Sequence, residues 1–474
     1  MQPKLKIGLF SIGLEAYWPQ FPGLYERLSG YAEFIANKLS VYGPEVIYTG
    51  MVDNCEKAFE AGTLFRQQDV DIIFLYVSTY ALSSTVLPVV RRAKVPVIVL
   101  NLSPEAAINY EWFNNLNNRT TMTSEWLAFC QACPIPEIAN VFKRSGISFF
   151  QITGVIDAED VWAEIGEWIA ATRVAHTMNY NRLGVMGNYY GGMLDIYSNF
   201  TLQCATFGGH VEVIEVDELS AIRQEVNDQE VSDKLTEFSL VFEIENECPE
   251  YELIRAARTS VALDKLAKKH RLGSFAYYYK GLGNPQNEDT MSSIIPGCSL
   301  LTAAGIPVAG EYEIKNAQAM KIMDSFGAGG SFSEYYAVDY KDDIVLFGHD
   351  GPGHLAIAEG RIKVSPLMVY HGKIGNGLSI EMSVKNGPVT LLSIVETVDG
   401  KIMFLMAEAE SVAGPILKIG NTNSRYRFPI GAKKFMEDWN SHGPAHHCAI
   451  GIGHIASKIK KLGAILNLQV IQVC

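Results

Sequence analysis

Asp71–Ser78 reads DIIFLYVS. A single aspartate opens an apolar run rich in β-branched and aromatic residues, with no polar alternation. Such a run suits a strand buried on both faces, as in parallel sheets. The pattern repeats on both sides of it. Lys6–Gly13 (KIGLFSIG), Pro44–Thr49 and Val95–Leu102 (VPVIVLNL) read as further strands. Amphipathic stretches at Tyr25–Leu39, Cys55–Gln68 and Leu82–Lys94 read as the helices between them. Strands alternating with helices predict an open, doubly wound parallel sheet.

A second α/β unit is expected after a helix at Ala158–Thr177. Its strands are Arg182–Gly187, Val211–Val216, Ser239–Glu243 and Ser274–Tyr279, with a long helix at Leu253–His270. The pattern changes near Ala328. Asp343–Phe347, Ile362–Tyr370, Leu378–Lys385, Val389–Thr397 and Lys401–Ala409 are short β-rich segments, and a helix at Gly453–Leu462 closes the chain. Asn386-Gly387 and Asp399-Gly400 are hairpin signals. The expected fold class is therefore α/β, with two doubly wound domains, 1–176 and 177–327. A C-terminal antiparallel sheet or β-barrel-like domain, 328–474, follows them.

Composition narrows the function classes. A net charge of −13 with no basic run argues against a nucleic-acid partner, which calls for a lysine- or arginine-rich face. No run of about eighteen apolar residues is present, so no membrane span is expected. Met1–Lys6 runs straight into a strand without a signal-peptide pattern, and a cytoplasmic protein is expected. Cys130 and Cys133 form a single C-x-x-C, half of a zinc site with no second pair to complete it.

The chemistry-bearing residues lie in the second half. Glu311 stands in VAGEYE and opens a helical run, Ile314–Met323, with Glu313 as its near competitor. Glu334 stands in GGSFSEYY, between aromatic residues. His349 ends the strand IVLFGH before the turn Asp350–Gly353, with His354 five residues on. His446 and His447 follow Gly443-Pro444-Ala445. Two carboxylates and two imidazoles make a ligand set suited to a divalent ion of manganese or cobalt type, and carboxylates can also move protons. Neighbouring histidines point different ways, so one is expected on the metal and the other on substrate. Met193, Tyr279 and Phe332 are candidate apolar or aromatic pocket walls. Gly187–Gly192 lacks the G-x-G-x-x-G spacing, and no P-loop or G-x-S-x-G elbow occurs.

Taken together, A-G-E, S-F-x-E-x-Y, a strand ending in histidine and G-x-A-H-H resemble the L-arabinose isomerase family. The motif match covers about 309–354 and 443–448, and the order of domains agrees. The resemblance implies an aldose–ketose isomerase that works through an enediol with Mn²⁺, or Co²⁺ or Mg²⁺. By motif match it implies Glu311, Glu334, His349 and His447 as metal ligands, Glu311 and Glu334 as the proton-moving pair, and His446 beside the sugar. It also implies a homo-oligomer with sites near subunit interfaces. Two sugar-contacting stretches depart from the family. A Gln-His pair near the first strand is replaced by Gly13-Leu14-Glu15-Ala16-Tyr17-Trp18, and a later Gln and His by Thr123-Ser124-Glu125-Trp126. Glu15 and Trp126 would therefore contact substrate in ways that alter which hydroxyls are satisfied. Two further readings remain open: a non-catalytic sugar-binding or regulatory protein on this scaffold, and a metal-assisted sugar epimerase.

Overall fold

The computed structural model describes residues 4–281, 283–370, 373–374 and 377–474. The chain forms two compact units, Met1–His176 and Thr177–Cys474. In the first, strands β1 (Lys6–Ile12), β2 (Glu45–Val52), β3 (Ile72–Val77), β4 (Val97–Ser103) and β5 (Phe149–Val155) form one sheet in the order β2-β1-β3-β4-β5. All its pairings are parallel. Every residue of β3 is buried, as its uninterrupted apolar run requires. The intervening helices have local reasons to start and stop. The Asn54 side chain caps Cys55–Gln68 by accepting from the Lys57 amide, and Asp69 ends that helix in the left-handed region. β5 and the helices Tyr110–Asn114, Arg119–Ala128 and Ile135–Arg144 went unread in the sequence.

Among the described residues, the second unit holds a four-stranded parallel sheet, a seven-stranded mixed one and two smaller sheets. β6 (Arg182–Gly187), β7 (His210–Ile214), β9 (Ser274–Tyr278) and β10 (Val308–Ala309) pair in the order β10-β9-β6-β7, all parallel. β8 is only Glu243–Ile244. The strand expected at Ser239–Glu243 is mostly the end of the helix Asp228–Val241. A reciprocal capping box between Asn227 and Glu230 nucleates that helix and overrides the β-branched tail.

The remaining strands are β11 (Gly329–Asp339), β12 (Ile344–His349), β13 (Lys363–Pro366), β14 (Val369–Tyr370), β15 (Lys373–Ile374), β16 (Leu378–Glu381), β17 (Gly387–Glu396), β18 (Ile402–Ser411), β19 (Thr422–Arg427), β20 (His447–Ile452) and β21 (Gln469–Gln472). The main sheet runs β17-β20-β11-β12-β19-β18-β21, and β17 also pairs with β18. Its pairings are antiparallel except that β21 lies parallel to β18. Asp399-Gly400 does make the β17–β18 hairpin, with Glu396 opposite Ile402. Asn386-Gly387 does not make one. β16 pairs with β13, whereas β17 pairs with β18 and β20.

The helix Ile314–Ser325 is buried from Ile314 to Met323 and packs against β9 and β10 as well as β11, β17 and β20. One hydrophobic cluster, from Met186 through Phe275 and Phe347 to Ile450, unites the two larger sheets. No described helix is long and apolar enough to cross a membrane.

Candidate metal and proton-transfer site

β10 ends at Ala309, and the chain turns at Gly310 into the buried helix. Glu311 and Tyr312 both take left-handed backbone, with φ of 56° and 63°. For residues with a Cβ this costs on the order of 1–3 kcal/mol each. The turn is held by Glu313 N–H donating to Gly310 O (2.9 Å) and Tyr312 N–H to Tyr277 O (3.0 Å). The Tyr312 ring is buried against Tyr189, with centroids 4.7 Å apart. The helix cap is Glu313, whose side chain accepts from the Lys315 amide. That leaves Glu311 free to face the C-terminal end of the parallel strands, where ligands of α/β sheets bind.

Three imidazoles surround Glu311. His349 Nε2 lies 3.9 Å from Oε1, while His447 Nε2 and His446 Nε2 lie 3.4 and 3.6 Å from Oε2. Ligand atoms of Glu311, His446 and His447 all fall within 4.8 Å of one another. Phe332 is fully buried beneath them, its ring 4.2 Å from that of His349 and 4.4 Å from that of His447. His349 Nδ1–H donates to Asp350 O (2.9 Å), which leaves the lone pair on Nε2 facing Glu311. His447 has Nδ1 3.6 Å from Glu313 Oε2, so a carboxylate stands behind this ring and another in front.

Close approach explains two glycines. A Cβ on Gly348, beside His349, would sit 2.0 Å from Thr422 O, and one on Gly187 would sit 1.9 Å from Tyr278 O.

Glu334 lies within β11. It is half-buried, opposite Gly348 on one side and His447 on the other. With Glu311, His349, Tyr190, Tyr278 and Tyr279 it lines a cavity of about 860 Å³. Met193 is half-buried before the short turn Leu194–Ile196. In the other unit, Glu15 is exposed in a turn after β1, and Trp126 is 51% exposed on the helix Arg119–Ala128.

Two residues escaped the sequence reading, and a third was read only in part. Asp195 Oδ2 accepts from both the backbone N–H (3.0 Å) and ring Nδ1 (2.6 Å) of His446. Lys315, nearly buried, pairs with Glu313 at 3.1 Å and donates to Asp195 O at 2.6 Å. Glu313 itself was read only as a rival to Glu311.

Among the described residues, Glu311 Oε2, Glu313 Oε2 and both ring nitrogens of His447 are buried without a hydrogen-bond partner. Each such atom costs about 1–3 kcal/mol. Glu311 Oε2 and His447 Nε2 are Lewis bases that converge with the His446 ring, so a divalent cation with mixed nitrogen and oxygen ligands fits that side of the deficit. Glu313 Oε2 and His447 Nδ1 face each other on the far side of the ring.

Burial lowers His349 and His447 to about 3, with the neighbouring imidazoles adding to the effect. Burial also pulls on His446, but Glu311 and Asp195 more than offset it and raise it to about 9. Burial alone would raise the Glu311 carboxyl, yet the adjacent His446 helps hold it below its ordinary value. Burial pushes Glu313 up.

These shifts predict the pH dependence of metal-free stability. For His349 and His447 the folded pKa is depressed, so their contribution is complete above pH 6.5 and is lost as pH falls toward 3. By pH 5 the loss is on the order of 2 kcal/mol per histidine. For His446 the folded pKa is raised, so its contribution is complete below pH 6.5 and is lost as pH rises through 9. Urea midpoints should therefore peak near pH 6.5 and fall on both sides. His447→Gln should flatten the acid limb and His446→Gln the alkaline limb.

No family model matches the chain. A curated relative, the L-arabinose isomerase of Nocardioides sp. (strain ATCC BAA-499 / JS614), is 23% identical over 353 residues. The match covers 70% of this chain and 68% of that one, which marks a distant relationship. Solved structures with some likeness include a probable maltose operon transcriptional repressor from Staphylococcus aureus. It shows 12% identity and a TM-score of 0.17, over 64% of this chain and 94% of that one. The apo D-lactate dehydrogenase of Escherichia coli shows 10% identity and a TM-score of 0.16, over 69% and 94%. At such scores neither bears on function.

Proposed function

We propose that this chain is a divalent-metal-dependent aldose–ketose isomerase acting on a pentose, hexose or related sugar. The observation that carries the reading is the convergence of Glu311 with three imidazoles, where buried nitrogen and oxygen atoms lack partners. The distant isomerase relative supports it. Glu311, Glu334, His349 and His447 would hold the ion, Mn²⁺ or else Co²⁺ or Mg²⁺, with His446 beside the sugar. The close grouping of Glu311, His446 and His447 favours a second arrangement in which His446 also ligates. When bound, such an ion supplies Lewis-acid polarisation of a carbonyl oxygen.

The chain's own residues supply the rest. Glu311 and Glu334 both line the cavity. One takes the proton from the carbon beside the carbonyl, and the other moves a proton between the two oxygens. His446, held protonated, donates a hydrogen bond to a sugar oxygen. Tyr190, Tyr278 and Tyr279 offer faces for a sugar's C–H groups and hydroxyls for its oxygens. The substrate would thus be a neutral polyol. In this reading Glu15 and Trp126 belong to the sugar-contacting wall, Met193 and Phe332 to its apolar side. The division 1–176, 177–327 and 328–474 is its domain plan, in a cytoplasmic homo-oligomer.

The test is a panel of pentoses and hexoses of both series, incubated with Mn²⁺ in deuterated water and followed by NMR. Cation-dependent ketose carrying deuterium is expected from at least one aldose. Sugar binding without product would replace the reading with a binding protein, and inversion at carbon without a carbonyl shift with an epimerase.

A further inference from the structure

His446 and His447 are adjacent in sequence, yet both ring Nε2 atoms approach the same Glu311 oxygen, and their ring centroids are 3.7 Å apart. Successive side chains of a strand point to opposite faces. Here β20 begins at His447, so His446 lies just outside the strand's alternation. Its orientation must come from elsewhere. Asp195 holds it at two points, through the backbone N–H and through ring Nδ1. Two hydrogen bonds to one carboxylate oxygen fix where the residue sits and which way the ring turns. They also place a proton on Nδ1, so the far edge, Nε2, is the one aimed at Glu311.

Asp195 is in turn fixed from below. It belongs to the short turn Leu194–Ile196, and its carbonyl accepts from Lys315 Nζ at 2.6 Å. Lys315 also lies 3.4 Å from Ser198 Oγ and pairs with Glu313, the carboxylate behind His447. The Tyr197 ring rests on Tyr189 at 4.9 Å, and Tyr189 rests on Tyr312. The turn is thereby tied to the strained residues that carry Glu311.

We propose that Asp195 is a positioning residue that aims His446 at Glu311, and that Lys315 anchors it through the Asp195 carbonyl. The kinetic part of this proposal rests on the isomerase reading; the orientation of His446 does not. The adjacent histidines differ in their surroundings: Asp195 holds His446 by two hydrogen bonds, whereas His447 has the Glu313 carboxylate 3.6 Å behind its ring, and Lys315 reaches both Glu313 and the Asp195 carbonyl.

The test compares Asp195→Ala, Asp195→Asn, His446→Gln and the double variant D195A/H446Q with the wild type. Asp195→Ala should lower kcat by about tenfold to a hundredfold, the scale of lost outer-shell partners, while KM moves much less. Asp195→Asn keeps an oxygen acceptor for both N–H groups and should recover most of the loss. In the His446→Gln background the alanine change should cost less than about twofold, because the ring that Asp195 orients is already gone. An equal cost in both backgrounds, or an unaltered kcat in Asp195→Ala, overturns the proposal. A second readout needs no turnover. In protein with ¹⁵N-labelled histidine, the hydrogen-bonded Nδ1 proton of His446 should be present in wild type and Asp195→Asn and lost in Asp195→Ala. Its persistence in Asp195→Ala overturns the proposal. If the wild type converts no aldose while this signal behaves as expected, the isomerase reading fails and the positioning role stands.

Discussion

Glu311→Gln is expected to abolish cation binding and turnover together while leaving the fold intact. Glu311 is the carboxylate that all three imidazoles approach, at 3.4, 3.6 and 3.9 Å. The amide keeps the shape and one carbonyl oxygen but loses the negative charge. His446 then loses one of the two carboxylates that hold it protonated, and a cation would meet neutral or positive groups on this side. Affinity for Mn²⁺ should fall at least about a hundredfold, beyond the usual effect of an outer-shell change. The rate constant kcat/KM should fall by on the order of a thousandfold or more, because metal and proton-moving group are lost at once. Circular dichroism should be unchanged, since glutamine fits the same turn, and the urea midpoint should not drop. Retention of half the activity or more would refute the role given to Glu311.

Glu334→Gln is the second large effect, and it has a different signature. Glu334 lines the same cavity and stands across the sheet from His447, but it lies outside the closest cluster of ligand atoms. Its amide variant should lose about 10²–10⁴ in kcat, the usual worth of a positioned acid or base. Mn²⁺ affinity should fall by less than in Glu311→Gln. Steady-state kinetics at saturating Mn²⁺ would check this. A kcat within threefold of wild type would remove Glu334 from the proton-moving pair and leave Glu311 to work with another group.

How much of this was legible in the sequence depended on whether a local pattern carried it. Ile72–Val77 could be read because a strand buried on both faces has no polar residues to interrupt it. The helix Cys55–Gln68 and the Asp399-Gly400 hairpin were legible for equally local reasons. Ser239–Val241 misled because the deciding signal, the capping box at Asn227 and Glu230, lies a dozen residues upstream. Asn386-Gly387 misled because a turn dipeptide says nothing about which strands its flanks will join. Glu334 was singled out by its aromatic neighbours, but the strand that carries it, β11, went unread because glycines open it. Glu311, His349, His446 and His447 could be singled out by type and glycine-rich setting. Asp195 could not. It meets His446 across 251 residues, in a turn whose exposed aspartate resembles any other. Lys315 was hidden by the opposite problem, since a lysine buried in a helix looks in sequence like a surface charge.

In the proposed function, Glu311 and the histidines around it form a site for one divalent cation. Titration of the wild type and Glu311→Gln with Mn²⁺, followed by electron paramagnetic resonance, tests it most directly. One tight site per chain is expected in the wild type and none in Glu311→Gln. Equal binding by both proteins, or no binding by the wild type at neutral pH, would contradict it.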